Sequence, residues 1–415
     1  MKFFRWLYPG IGIKRWVVLA AFGLGIMVIV GISAVKTMAQ HSVLLASFAT
    51  AFLVFGIFLV YMALKNIVRI LVRALMPEPP DDLANIVYQS RRRDFLSRGP
   101  RVVAIGGGTG LSVLLSGIKA YTKNITAIVT VTDTGGSSGR LRDELDVLPP
   151  GDIRNCLVAL ADAEPLIRNL FQYRFEEGEG LKGHSFGNLF ITALSMVTGD
   201  FEKAIRESSK VLAIRGRVVP STLDKVTLVG EFTDGTTAEG ETNITDAKKP
   251  LKRISLRPAD CRATEEALEA IQSADLIVMG PGSLYTSILP NLLIKDIANA
   301  ILESDGYKVF IINAMTQPGE TEAYSAYDHL RSVISHTDPG IIDVCFINTQ
   351  PIPKVALDRY QETNSFPVEM DLAKIREQGY EVVGGEFLKL DTQVRHDPTK
   401  LAKKVIDQYF EILKR

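Results

Sequence analysis

The sequence lacks a net charge: Lys plus Arg and Asp plus Glu both number 47 in 415 residues. Neither a basic nucleic-acid footprint nor an acidic solvating tail follows from that balance, so nucleic acid is not an expected partner. Cysteine is scarce. Cys156, Cys261 and Cys345 stand far apart, with no Cys-x-x-Cys and no His or Cys companion at metal spacing. That argues against structural zinc and for a reducing compartment. Internal repeats and low-complexity segments are also missing, which excludes a repeat architecture. What is in excess is apolar surface, at 47% of residues and a mean hydropathy of +0.14, high for a soluble enzyme of this length. The length itself suits two to three domains.

The apolar excess lies at the amino end. Trp16 to Val35 holds 20 residues without a charge, and Val43 to Leu64 holds another 22. At about 1.5 Å per residue each run reaches the ~30 Å of a bilayer core, so the expectation is a transmembrane hairpin rather than a cleaved leader. Lys2, Arg5, Lys14 and Arg15 precede the first run, Lys65, Arg69 and Arg73 follow the second, and the turn from Lys36 to Ser42 carries only Lys36. The positive-inside rule then places both ends, and everything after them, in the cytoplasm, making this a multi-pass protein of the inner membrane. Trp16 and Tyr61 suit interfacial anchoring. Asn66 to Leu75 extends as a basic juxtamembrane helix until Pro77, Pro79, Pro80, Asp81 and Asp82 stop it. The expected layout is an anchor over 1–75 with spans at 16–35 and 43–64, a linker over 76–98, and a nucleotide-binding domain over 99–415. Arg91, Arg92, Arg93 and Arg98 in the linker suit anionic headgroups, and a solvated face explains them equally well.

From Arg101 strand and helix signals alternate. RVVAI (101–105), ITAIVTVT (125–132), DLIVM (275–279), KVFII (308–312) and IIDVCFI (341–347) are buried-strand runs, and Leu111 to Tyr121 reads as a helix. The pattern predicts a Rossmann-like α/β fold, a parallel sheet with helices on both faces. Residues 220–256 break the rhythm: KVTLVGEF and TAEGETNI flank a turn at Asp234-Gly235, which predicts a small antiparallel excursion. Leu401 to Leu413 is an amphipathic closing helix.

Candidate chemistry gathers at the strand ends. The first strand runs into Gly106-Gly107-Gly108-Thr109-Gly110, a phosphate cradle at a helix start, without the Gly-Lys-Ser/Thr of a Walker loop and without the third glycine of GxGxxG. Asp133, at the end of the second strand, stands where a dinucleotide fold places its ribose-binding acid. It opens a second loop with Gly136, Ser137, Arg140 and Arg142, suited to another anion. Pro149-Pro150-Gly151-Asp152 reads as a helix start capped by Asp152. Arg154 and Asn155 in the first turn make sense if they answer an anion. His184-Ser185-Phe186-Gly187-Asn188 repeats the theme, with Ser185 as cap and His184 either an acid, base or phosphate donor or a structural residue. Gly280-Pro281-Gly282-Ser283-Leu284-Tyr285-Thr286 is a third close-approach loop, and Asn313 to Thr321 a fourth.

Six strings in this order, IGGGTGLSVLLSGIK, VTVTDTGGSSGRLR, PPGDIRNCLVAL, HSFGNLFI, GPGSLYTSILPNLL and NAMTQPGET, resemble the 2-phospho-L-lactate transferase (CofD-like) superfamily, and within it the gluconeogenesis-factor branch (YvcK type). The resemblance covers residue 100 onward. It implies binding of a UDP-sugar such as UDP-N-acetylglucosamine and a role in growth on gluconeogenic carbon, cell shape and envelope synthesis, with no settled reaction. The transferase relatives use a guanosine diphosphate donor, a deazaflavin acceptor and magnesium, and this sequence departs from their strings in its first loop and in DTGGSSGR. Carried over by position, Gly107, Gly108, Thr109 and Gly110 would cradle the diphosphate. Asp133 would contact a ribose or Mg2+, Asn188 would orient the ligand, and Gly282, Ser283, Leu284 and Tyr285 would hold the nucleotide or sugar. Arg140 and Arg142 would face phosphate, and Asp133 or Asp152 would be the catalytic group if a reaction occurs.

Three functions follow as expectations: a UDP-sugar-binding regulator with a protein partner, a transferase of the phospholactate kind, and an NAD(P) oxidoreductase, which the incomplete glycine fingerprint disfavours. No tightly bound cofactor is expected, and a homo-oligomer is compatible with all three.

Overall fold

The computed structural model describes residues 13–37, 43–75, 95–390 and 394–414. Two compact units divide at residues 90 and 91, inside the stretch read as a linker. The amino-terminal unit consists of helices α1 (Ile13–Thr37) and α2 (Val43–Leu75). Their apolar windows, Arg15–Ser33 and Ser47–Ile70, are only 6% and 11% buried, the reverse of a helix in a soluble core. Asn66 continues α2 without a break, its side-chain amide donating to the Met62 carbonyl at 2.8 Å. Gly23 faces Gly56 between the two helices, and a Cβ on either would stand 2.9–3.0 Å from the other's carbonyl oxygen. Lys2, Arg5, the proline stop from Pro77 and the Arg91 to Arg93 run lie outside the described residues.

The strands of the second unit are, in chain order, β1 (Val102–Gly106), β2 (Ile125–Val129), β3 (Arg217–Pro220), β4 (Thr227–Phe232), β5 (Thr237–Glu239) and β6 (Leu251–Arg257). They continue with β7 (Leu276–Met279), β8 (Tyr307–Ile311), β9 (Val344–Asn348), β10 (Glu381–Gly385), β11 (Leu388–Leu390) and β12 (Val394–His396). Seven of them form one sheet in the order β10-β9-β8-β7-β1-β2-β3, with parallel neighbours throughout. Every residue of β1 and β2 is buried, because helices cover both faces, and this is why their sequences are unbroken apolar runs.

Helix α3 (Gly108–Ile118) follows β1 and buries Leu111, Leu114, Leu115 and Ile118 completely. The closing helix, Pro398–Ile412, packs on α3 and starts three residues before the expected Leu401, because Asp397 caps it by accepting from the Thr399 and Lys400 amides. The antiparallel excursion is a three-stranded sheet, β5-β4-β6, rather than a hairpin. Its turn falls at Asp234-Gly235, but TAEGETNI keeps strand geometry only over Thr237–Glu239. After Gly240, Glu241–Asp246 is helical. ITAIVTVT is likewise shorter as a strand than its apolar pattern: pairing stops at Val129, and Asp133 lies four residues beyond the strand end.

Candidate functional site

The chain builds outward from β1 through β2 to β3, then returns to the other side of β1 with β7 and builds outward through β8, β9 and β10. The order reverses between β1 and β7, and in an open parallel sheet a crevice forms beyond the carboxyl ends at such a point. Gly106 to Gly110 leave β1 there, and Gly280 to Ser283 leave β7 opposite them. The loops are nearly in contact: a Cβ on Gly110 would stand 2.5 Å from the Pro281 carbonyl oxygen and 2.7 Å from the Gly282 Cα. Asn313, after β8, clamps the second loop, accepting from the Gly282 amide at 3.2 Å and donating to its carbonyl at 2.7 Å. A cavity of about 340 Å³ opens between them, floored by Gly107 to Gly110, Gly282 and Ser283 and walled by Asn313, Tyr360, Arg395 and His396. Helix α3 begins at Gly108, three residues earlier than the apolar pattern indicated, so its first turn presents amides at this cavity.

A second polar cluster adjoins the first. Helices α4 (Gly136–Leu145), α5 (Gly151–Leu160), α6 (Pro165–Gln172) and α7 (Phe186–Thr198) supply it. Ser185 caps α7 by accepting the Asn188 amide at 3.3 Å. Asn188, buried, donates to Ser137 Oγ at 3.1 Å, and its own Oδ1 has no partner among the described residues. His184 Nδ1 lies 3.0 Å from the same hydroxyl. Burial, then the charge of Arg140, pulls the His184 imidazole below its ordinary pKa, so the ring is neutral near pH 7. Arg154 donates to Ser185 Oγ and, at 2.7 Å, to Asn155 Oδ1, while its Nε is buried with no acceptor among the described residues.

Carboxylates join the two clusters. Asp152 is the second residue of α5, not its cap; Pro150 holds that position. Its carboxylate instead accepts the Gly108 amide and lies against Gly107. Burial, then the neighbouring Asp133, raises its pKa to about 7. Asp133 Oδ1 accepts the Gly135 amide at 2.8 Å. Glu241 is pushed to about 8 by burial and by the charges of Asp133, Asp152 and Glu320. Glu320, also raised by burial, accepts from the Ser283 hydroxyl and, at 3.2 Å, from Thr286.

Several expected ligand groups face elsewhere. Leu284 and Tyr285 are not on the crevice wall: both are at most 2% exposed, and the Tyr285 hydroxyl bonds Tyr324 at 2.7 Å and Ser332 at 3.0 Å inside the core. The turn after Ser283 is wound as a π-helix, Leu284–Ile288, which directs Ser283 and Ser287 to the cavity and rotates Tyr285 inward. Arg140 donates to the Lys182 carbonyl at 2.8 Å. Arg142 ties α4 to the excursion through the Val226 carbonyl at 2.8 Å and Thr227 Oγ1 at 3.1 Å. Arg142→Ala is therefore expected to destabilise the protein by about 2 kcal/mol, seen as a lower melting temperature, and to leave ligand affinity unchanged. Gly136 is exposed at the start of α4, and Asn155 serves Arg154.

Glu241, Glu320, Arg395 and His396 were not singled out from sequence. Glu320 stands in the NAMTQPGET string, where a lone acid after Pro-Gly carried a signal. Glu241 hid in a segment read as strand, and nothing in a three-residue strand such as Val394–His396 marks it as a crevice wall. Burial lowers the His396 pKa to about 4, so it is neutral, and its Nε2 is buried with no partner among the described residues.

Residues 102–388 match the family model described as 2-phospho-L-lactate transferase CofD. The chain is 40% identical over 418 residues to a putative gluconeogenesis factor of Clostridium acetobutylicum, covering 98% of this chain and 92% of that protein. It is 45% identical over 313 residues to a gluconeogenesis factor of Bacillus subtilis, covering 75% of this chain and 99% of that one. A crystal structure of a UPF0052-family protein from Bacillus halodurans superposes with a TM-score of 0.73 at 48% identity, over 74% of this chain and 99% of that chain. The Clostridium alignment takes in the amino-terminal helices as well as the α/β unit.

Proposed function

This chain belongs to the gluconeogenesis factor family, with its CofD-like domain, and from that premise we propose that it is a membrane-tethered regulator that binds a UDP-sugar such as UDP-N-acetylglucosamine. The observation that carries this reading is the pair of glycine-rich loops meeting across the β1/β7 switch point, with helix-start amides and an amide clamp from Asn313 around one cavity. Such a site neutralises a diphosphate without a lysine. The adjoining cluster of Ser137, Asn188 and the neutral His184 is buried outside the cavity lining, and its mutual hydrogen bonds fix the starts of α4 and α7 beside the cradle.

Among the described residues no three His, Cys, Asp or Glu side chains converge to hold a metal ion by themselves. Asp133 and Asp152 are hard oxygen donors beside the cradle, and Mg2+ commonly completes such a pair with phosphate oxygens and water. Bound there, it would offset the repulsion between diphosphate and carboxylates. Helices α1 and α2 would cross the inner membrane with the α/β unit on the cytoplasmic side, and ligand occupancy would be passed to a partner protein in the control of gluconeogenic growth and envelope synthesis.

The match to the phospholactate transferase model favours a second reading, transfer from a nucleoside diphosphate donor, with Asp152 poised by its raised pKa to exchange a proton near neutrality. Phosphorus NMR separates the two. The regulator broadens the diphosphate resonances of UDP-N-acetylglucosamine and yields no new phosphorus species with or without Mg2+. A new species formed from that ligand or from a guanosine diphosphate donor would replace the first reading with the second. A reporter fused to the carboxyl end tests the tether, and a periplasmic signal would contradict it.

A further inference from the structure

The opposite end of the sheet carries a surface that the ligand crevice does not use. At the amino ends of β1, β2 and β3 lies a groove of about 520 Å³, lined by Arg101, Lys123, Asn124, Thr126, Arg217 and Ser273. Arg101 is held by Asp275, with Nη2 to Oδ1 at 2.5 Å. Lys123 and Arg217 are exposed, and among the described residues neither forms an ion pair.

Cations are common near helix carboxyl ends, where they answer unpaired carbonyls, and two neighbours are used in that way. Lys119 donates to the Ala161 carbonyl at 2.8 Å, and Arg215 donates to the Lys119 carbonyl at 3.1 Å while pairing with Asp162. Lys123 and Arg217 are not. Among the described residues Arg217 reaches only Thr126 Oγ1, at 3.5 Å, and its charge stays exposed.

The chain enters the α/β unit at this same place. The Lys123 amide donates to the Leu96 carbonyl at 3.0 Å, and Asn124 Nδ2 donates to the Ser97 and Gly99 carbonyls at 2.9 and 2.8 Å. These bonds pin the entering turn beside the groove. Leu96 is buried there, yet Phe95 beside it is 71% exposed, and Arg98 is exposed too. An exposed aromatic ring among unpaired cations is the pattern of a surface that rests on a lipid interface.

We propose that Phe95, Arg98, Lys123 and Arg217, around this groove, form a docking surface for the phosphate headgroups of an anionic bilayer. The inference rests on the reading that α1 and α2 anchor the chain. Residues 76–94 lie between α2 and Phe95, and at ~3.5 Å per step from Leu75 to Phe95 they reach no more than about 70 Å. A short tether turns weak headgroup contacts into an intramolecular encounter at high effective concentration. Docking would leave the crevice, at the carboxyl ends of the strands, open to the cytoplasm.

The full chain is placed in nanodiscs of phosphatidylcholine alone or with phosphatidylglycerol, and acetylation of each lysine by N-hydroxysuccinimidyl acetate is followed by mass spectrometry. Lys123 is expected to react at least fivefold more slowly in phosphatidylglycerol discs, with Lys252 on β6 unchanged as the internal reference. Arg217→Glu and, separately, Phe95→Asp are expected to reduce the protection to less than twofold while Lys252 reactivity stays constant, which reports an intact fold. Equal Lys123 rates in the two kinds of disc would overturn the proposal. So would equivalent protection by millimolar glycerol phosphate in phosphatidylcholine discs, which would assign the groove to a soluble anion. Failure of the chain to stay with either disc would instead sink the anchoring reading, and docking with it.

Discussion

Gly110→Ala is expected to weaken UDP-N-acetylglucosamine binding by at least about 100-fold, or ~2.7 kcal/mol at 25 °C. The added Cβ would fall 2.5 Å from the Pro281 carbonyl oxygen and 2.7 Å from the Gly282 Cα. Those atoms are backbone, so the collision cannot be relieved by a rotamer change. Relief requires the β1 and β7 loops to separate, and the cradle works only while both loops address one diphosphate. Separation also strains the clamp that Asn313 makes on Gly282. Calorimetric titration reads the affinity, and a cooperative melt shows that the variant is folded. An affinity within threefold of the parent would mean that the two loops do not share a ligand.

Asp152→Asn is expected to change how stability depends on pH. An aspartate in the unfolded chain ionises near pH 3.9, whereas burial and Asp133 hold the folded Asp152 at about 7. Between those values the folded state keeps a proton that the unfolded state has lost, so stability falls as pH rises and levels off above 7. Glu241, raised to about 8, extends the decline in the same direction. Holding the carboxyl at about 7 rather than near 3.9 corresponds to at most ~4 kcal/mol. The metal-free protein should therefore melt at a lower temperature at pH 8 than at pH 5. The asparagine, which still accepts the Gly108 amide but carries no charge, should show a shallower slope and a higher melting temperature at pH 8. Parallel pH profiles for the two proteins would show that Asp152 is not the group being titrated.

Much of this architecture was legible in the sequence because parallel strands buried on both faces have no choice but to be apolar throughout. VVAI, ITAIV and LIVM announced β1, β2 and β7, and the glycine loops announced their carboxyl ends. Apolarity does not report hydrogen bonding, however, so ITAIVTVT looked three residues longer than its pairing and TAEGETNI looked like strand where Glu241–Asp246 coils. The glycine loops of the crevice could be read, since backbone amides at helix starts need only small residues before them. Side-chain direction could not. Tyr285 faces the core because the turn after Ser283 is wound as a π-helix, and Arg142 is occupied by Val226 and Thr227, partners more than eighty positions away. Nor could the mutual repulsion of Asp133, Asp152, Glu241 and Glu320 be foreseen, since these acids come from a helix start, an excursion and a loop far apart in the chain.

The most direct test is hydrogen exchange of the full chain with and without saturating UDP-N-acetylglucosamine. Slower exchange is predicted for the amides of Gly107 to Leu111 and Gly282 to Ser287, the two sides of the β1/β7 crevice. Protection confined to any other part of the chain, or none at a concentration that calorimetry shows to be saturating, would contradict the assignment of that crevice as the ligand site.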